Sequence, residues 1–115
     1  MKIKNKIISN ISQPFFVAEA GINYDGNFRK CFELIDAAKK AGADAIKFQT
    51  HLAKHEMLDT KITLAHSKKE TVFDLMKKCE MTLDQHIKLK KYCDKKKIIF
   101  LSTPFSTQAA DLLKK

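Results

Sequence analysis

Apolar and polar residues along this chain follow two different periods, and the two take turns. Phe15-Phe16-Val17-Ala18-Glu19 is a short apolar run that ends on a carboxylate, which predicts a strand. Ala20 to Asn27 is rich in Gly, Asn and Asp and reads as a loop. From Phe28 to Ala41 the period changes: Phe28, Cys31, Phe32, Ile35 and Ala38 recur at helical spacing. Asn27 stands where an N-cap belongs and Gly42 where a helix stops. Ala43 to Phe48 is apolar apart from Asp44 and Lys47, which predicts a parallel strand covered on both faces. Strand, helix and strand over this span make one right-handed βαβ unit.

The pattern then loosens. His51 to Ala65 is polar and predicts an irregular insertion without a helix. Ser67-Lys68-Lys69-Glu70 fits a capping box, and Val72, Leu75, Met76 and Cys79 follow as a short helical stripe. Thr82-Leu83-Asp84-Gln85 fits the box again and opens a helix to about Lys96, with Leu83, Ile87, Leu89, Tyr92 and Cys93 as its apolar residues. Ile98 to Ser102 is a third buried strand, Thr103-Pro104-Phe105 a loop, and Ser106 the cap of a last helix. Ahead of all this, Lys2 to Ser9 alternates loosely and predicts a short β arm.

Alternating strands and helices imply a parallel sheet. Three such strands in 115 residues form one domain, residues 1–115, and not a whole barrel, which takes about 250 residues. The expected fold class is therefore α/β: the N-terminal βα units of a TIM (β/α)8 barrel, part of a larger molecule.

Composition adds little to this and removes some alternatives. Hydrophobic content of 44% and charged content of 30% are those of an ordinary globular protein. No long apolar run predicts a membrane span, and the basic start lacks the apolar region of a signal peptide. Cys31, Cys79 and Cys93 are odd in number and sit in amphipathic patterns, so we read reduced core thiols and a cytoplasmic protein. The formal net charge of +9 allows an anionic partner. The lysines are spread over helix faces without interleaved aromatics, so we expect solvated helices rather than a nucleic-acid groove.

Candidate chemistry lies at the strand ends. Side chains alternate along a strand, so Ala45, Lys47 and Gln49 share a face. A lysine near the end of a buried strand needs an anion. Lys47 is then either a structural residue, snorkelling to solvent or paired with a carboxylate, or a cation aimed at an anionic ligand. Glu19, Lys47 and Thr103 each close a predicted strand, and barrel active sites are built at the C-terminal ends of strands. The trio suits an anionic substrate: Lys47 as point charge, Thr103 as donor, Glu19 as acceptor or acid–base group. His51 and His55 are spaced i, i+4, but without a helix or a third ligand they make no metal site. His66 and His86 read as surface residues.

Three segments together carry a resemblance. Phe16-Val17-Ala18-Glu19-Ala20-Gly21-Ile22-Asn23, Ala41 to Thr50 (AGADAIKFQT) and Ile99-Phe100-Leu101-Ser102-Thr103-Pro104-Phe105 resemble, in order, the sialic acid synthase family. That family includes N-acetylneuraminate, legionaminate and pseudaminate synthases. The resemblance implies a TIM barrel that condenses phosphoenolpyruvate with N-acetylmannosamine or a related N-acylated sugar, giving a nonulosonic acid and phosphate. It implies Lys47 and Thr103, with Gln49 beside them, as phosphoenolpyruvate ligands, and Glu19 as the catalytic glutamate facing the cationic or tetrahedral intermediate. It also implies a divalent metal, manganese or magnesium, whose histidine ligands lie downstream, as does a C-terminal antifreeze-like domain. A homodimer with small-molecule substrates, and neither nucleic acid nor membrane as partner, is what the intact family enzyme would be. Tyr24 departs from the pattern, which has His after the motif asparagine, and this bears on the acceptor sugar. Two other classes stand against this reading. One is a small basic α/β module that holds phosphate or RNA without catalysis, and the other an assembly fragment with open sheet edges.

Overall fold

In the computed structural model of the chain, residues 1–4, 6–63 and 69–115 are described. The N-terminal arm is a small antiparallel hairpin, β1 (Lys2–Ile3) with β2 (Lys6–Ile7). Then come β3 (Val17–Gly21), α1 (Phe28–Lys40) and β4 (Ala45–Thr50). Two short helices, α2 (Ala53–Glu56) and α3 (Val72–Lys78), precede α4 (Leu83–Lys96), β5 (Ile99–Pro104) and α5 (Thr107–Leu113). The three long strands form one parallel sheet in the order β3-β4-β5, as the alternation of periods requires.

The helices begin and end where local chemistry dictates. Asn27 accepts from the Arg29 N–H at 3.1 Å and starts α1. Gly42 follows the helix at φ +84, a left-handed conformation that glycine adopts without penalty. Thr82 and Gln85 form the reciprocal box at the start of α4, and Ser106 caps α5 through the Ala109 N–H.

The core lies between the helices and one face of the sheet. Cys31, Ile35 and Ala38 give α1 its buried stripe, and His86, Leu89 and Cys93 give α4 its own. They meet Ala20, Ile46 and Phe48 from the strands, with Ala18 and Phe100 packed alongside. Each large apolar side chain removed from water there contributes roughly 1.5–3 kcal/mol. All three cysteines are buried and free.

Several expectations need correction. Each strand ends two residues later than the sequence pattern suggests, at Gly21, Thr50 and Pro104. Ladder hydrogen bonds carry the extended backbone past the apolar run. Glu19 and Lys47 therefore sit within their strands rather than closing them. The segment after β4 is not helix-free, since Ala53–Glu56 forms a helical turn. The box that starts α3 is Thr71 with Asp74; the predicted Ser67 cap lies outside the described residues, as does His66. Ile87 is 40% exposed, and His86 takes the core position on α4 instead.

His86 is the main reversal: read as a surface residue, it is 4% exposed. Its Nδ1 lies 2.9 Å from the Thr82 carbonyl, an acceptor, so Nδ1 carries the proton. Nε2 is then an acceptor, and the Thr50 hydroxyl donates to it at 2.9 Å. The Ser102 hydroxyl lies 2.6 Å from Thr50 Oγ1 and donates in turn. A buried polar chain thus ties α4 to the ends of β4 and β5. Burial holds the imidazole below its ordinary pKa.

Tyr24 is likewise structural. It is 1% exposed, rests against Phe48, and donates its hydroxyl to the Cys79 carbonyl at the end of α3. Burial pushes its phenol well above the usual range. At the opposite end of the sheet, Asp44 accepts from the Phe16 N–H at 2.9 Å and pairs with Lys6, anchoring the hairpin. Lys6 first, then that N–H, hold its carboxyl below the ordinary carboxylate range.

Candidate active site at the strand ends

Strand parity decides what the second face of the sheet carries. Ala18, Ile46, Phe48 and Phe100 pack toward the helices. Their neighbours Glu19, Lys47, Gln49, Leu101 and Thr103 therefore share the other face. Register brings them together: Glu19 pairs with Lys47, Lys47 with Leu101, and Gln49 with Thr103. All four sequence-predicted site residues thus lie on one face, in the C-terminal half of a parallel sheet. Thr103 stands beside Gln49, one pair further along than Glu19 and Lys47.

Lys47 Nζ is 2.8 Å from Glu19 Oε2, with side chains 38% and 51% exposed. The lysine thus meets a carboxylate, one of the two anions open to it. Glu19 Oε1 accepts from the Gly21 N–H at 3.2 Å, across the bulge that shifts the β3–β4 register. The carboxylate is held from both oxygens, and the ammonium keeps two further N–H donors for another anion. Gly21, at φ +53, presents no side chain to Gln49; a Cβ there would meet the Gln49 amide at 3.7 Å.

Sequence reasoning missed what lies beyond Gln49. His51 is buried and its Nε2 is 3.1 Å from Gln49 Oε1. Its Nδ1 is 2.8 Å from Glu56 Oε1, and its ring stacks on Phe105 at a centroid distance of 4.4 Å. Parity was the available signal: His51 follows Gln49 by two residues and Phe105 follows Thr103 by two. Glu56 could not be paired with His51 without knowing that α2 turns back.

No group of three or more His, Cys, Asp or Glu among the described residues is placed to hold a metal ion. His51 has both nitrogens engaged and His55 is exposed, so the i, i+4 pair does not converge. The described residues do not fit a divalent ion. Many lysines on the helices are ion-paired, among them Lys77 with Glu80, Lys78 with Asp25, Lys88 with Asp84 and Lys96 with Asp36. No helix among the described residues is long and apolar enough to cross a membrane.

Parallel βα units, with an ion pair and polar side chains on one face of the sheet, place the chain in the α/β barrel class. The comparisons with known proteins agree. The NeuB family model matches residues 34–115. Over 114 residues the chain is 40% identical to the spore coat polysaccharide biosynthesis protein SpsE of Bacillus subtilis, covering 97% of this chain and 31% of that protein. It is 35% identical over 104 residues to the N,N'-diacetyllegionaminic acid synthase of Legionella pneumophila, covering 86% of this chain and 29% of that one. The crystal structure of the N-acetylneuraminic acid (sialic acid) synthetase of Leptospira borgpetersenii superposes with a TM-score of 0.79 at 30% identity, covering 99% of this chain and 37% of that one. This chain belongs to the NeuB family. It spans about a third of the length of the curated relatives it matches.

Proposed function

We propose that this chain supplies the phosphoenolpyruvate end of the active site of a nonulosonic acid synthase. The reaction condenses phosphoenolpyruvate with an N-acylated sugar aldehyde such as N-acetylmannosamine and releases phosphate. The observation that carries the reading is the alignment of Glu19, Lys47, Gln49 and Thr103 on one sheet face, with Lys47 2.8 Å from Glu19. Names borne by relatives, sialic acid and legionaminic acid synthases among them, support the reaction class.

In this reading Lys47 balances the phosphate or carboxylate of phosphoenolpyruvate, and Thr103 and Gln49 add neutral donors. The enol carbon attacks the aldehyde carbon, and positive charge develops at the enolpyruvate carbon that bears the phosphate oxygen. Glu19 faces that charge, and its carboxylate takes a proton from the water that adds there. The C–O bond to phosphate then breaks. Lys47 pairs with the Glu19 carboxylate at 2.8 Å until the intermediate replaces the ammonium as its partner. We infer that the divalent metal, which would polarise the aldehyde, draws its ligands from elsewhere in the complete enzyme, a homodimer in the cytoplasm.

The test uses the product of the full reading frame, supplied with manganese or magnesium and a panel of N-acylated sugars. Phosphoenolpyruvate labelled with heavy oxygen at the bridging position should deliver the label to phosphate. Label retained by the sugar acid, or no phosphate release with any sugar, overturns the proposal.

A further inference from the structure

Beyond Gln49 a polar chain runs off the site and ends in a buried charge. The Glu56 side chain is 5% exposed, and Oε1 lies 2.8 Å from His51 Nδ1. Its other oxygen, Oε2, is buried with no hydrogen-bond partner among the described residues. A buried carboxylate is costly unless it is paired, and a buried pair adds little to stability over well-packed apolar residues of similar volume. The pair also reaches Gln49, through His51 Nε2.

The donor roles follow from chemistry. A carboxylate only accepts, so His51 Nδ1 donates to Glu56. The amide oxygen of Gln49 also only accepts, so Nε2 donates to it at 3.1 Å, and His51, with both ring N–H groups donating, is the imidazolium partner of the Glu56 carboxylate. Phe105, stacked on the ring at 4.4 Å, fixes its plane. With Oε1 occupied, the Gln49 amide has one remaining role: its two N–H groups donate on the face that also carries Lys47 and Thr103.

We propose that Glu56 and His51 are positioning residues that set the amide of Gln49, so that its N–H groups are presented to the phosphate or carboxylate of an anionic substrate. Without the relay the amide turns over and offers its oxygen, which repels the anion. This rests on the phosphoenolpyruvate reading above for the identity of the anion, but not for the relay itself.

The experiment uses the full reading-frame product and the variants Glu56→Gln, Gln49→Ala and their combination. Glu56→Gln keeps the volume and an acceptor oxygen but removes the charge that pairs with a doubly protonated His51, so Nε2 no longer has to donate to Gln49. His51→Asn is the second variant; its shorter amide reaches Glu56 but not Gln49. Two readouts are taken. The first is the side-chain amide resonances of Gln49 by NMR, which should shift in Glu56→Gln and in His51→Asn. The second is steady-state kinetics: Glu56→Gln should raise the phosphoenolpyruvate KM about tenfold, leave the sugar KM within twofold or so, and add almost nothing in the Gln49→Ala background. Effects that multiply in the double variant, or Gln49 resonances that do not move, overturn the relay. If the unaltered protein binds no phosphoenolpyruvate, the functional reading fails, and the Gln49 resonances alone uphold or overturn the positioning role.

Discussion

Lys47 and Glu19 face each other across neighbouring strands, in register, with Nζ 2.8 Å from Oε2. The pair is half-exposed, so its own contribution to stability is small, about 0–1 kcal/mol. Under the proposed function its worth lies in holding a cation and a carboxylate side by side for an anionic substrate. Lys47→Ala should therefore raise the KM for phosphoenolpyruvate more than that for the sugar. Removing a charge-assisted hydrogen bond should reduce kcat/KM by about 2–4 kcal/mol in transition-state binding, roughly thirty- to a thousand-fold. Lys47→Arg should restore only part, because a planar fork does not replace a compact point charge. Lys47→Met with unchanged kinetics would make the lysine purely structural.

Burial of His86 predicts a pH dependence of stability. The folded pKa of His86 lies below its unfolded value, so the unfolded chain binds more protons in the window between them. The stabilisation is complete above about pH 6.5 and is lost as pH falls through the folded pKa. Urea melts between pH 7.5 and 5 should show a declining midpoint. His86→Gln should flatten that slope while lowering stability throughout. A midpoint that rises on acidification, or an unchanged slope in the variant, contradicts the buried neutral imidazole.

Gly26 has a backbone reason to be glycine. It sits at φ +73, and a Cβ there would lie 2.6 Å from Lys78 Cγ and 2.8 Å from the Lys78 carbonyl oxygen. The side chain could swing away, but the carbonyl belongs to α3. Gly26→Ala should cost about 1–2 kcal/mol for the left-handed conformation alone, with the overlap in addition. Gly42, also at positive φ but with nothing within 4 Å of such a Cβ, should incur the conformational part only. Comparing the two alanine variants by thermal or denaturant melts separates the terms.

The thiols make a simpler prediction. Burial pushes Cys31 and Cys93 up to about 12, and Cys79 is raised for the same reason. Nucleophilic thiolate is scarce at neutral pH, and access is closed. A thiol reagent should label the folded protein slowly and all three cysteines at once in denaturant. Rapid labelling of one cysteine under native conditions would show local opening around it.

Much of this could be read from local pattern. The switch between period two and period 3.6 located all three long strands and the two main helices, because side-chain periodicity is a property of a single element. Parity placed Lys47 and Gln49 together on one face of their strand for the same reason. Register between strands was not available. Only the pairing of β3 with β4 shows that Glu19 meets Lys47 directly, and that Thr103 stands beside Gln49 instead. Strand ends were read short because they depend on ladder bonds to neighbours, which outlast the apolar run.

The histidines draw the boundary most sharply. A histidine has no preferred depth in a sequence pattern; its polar ring suits water or a satisfied interior equally. His86 is buried because Thr50 and the Thr82 carbonyl meet its two nitrogens, and these come from a different strand and the preceding cap. His51 is buried because Gln49, Glu56 and Phe105 surround it, from two strand ends and a helical turn. Local order in the chain therefore settles which residues can be strand or helix and which face each takes. Satisfaction of buried polar groups settles the rest, and it needs partners that only long-range pairing brings within hydrogen-bond reach.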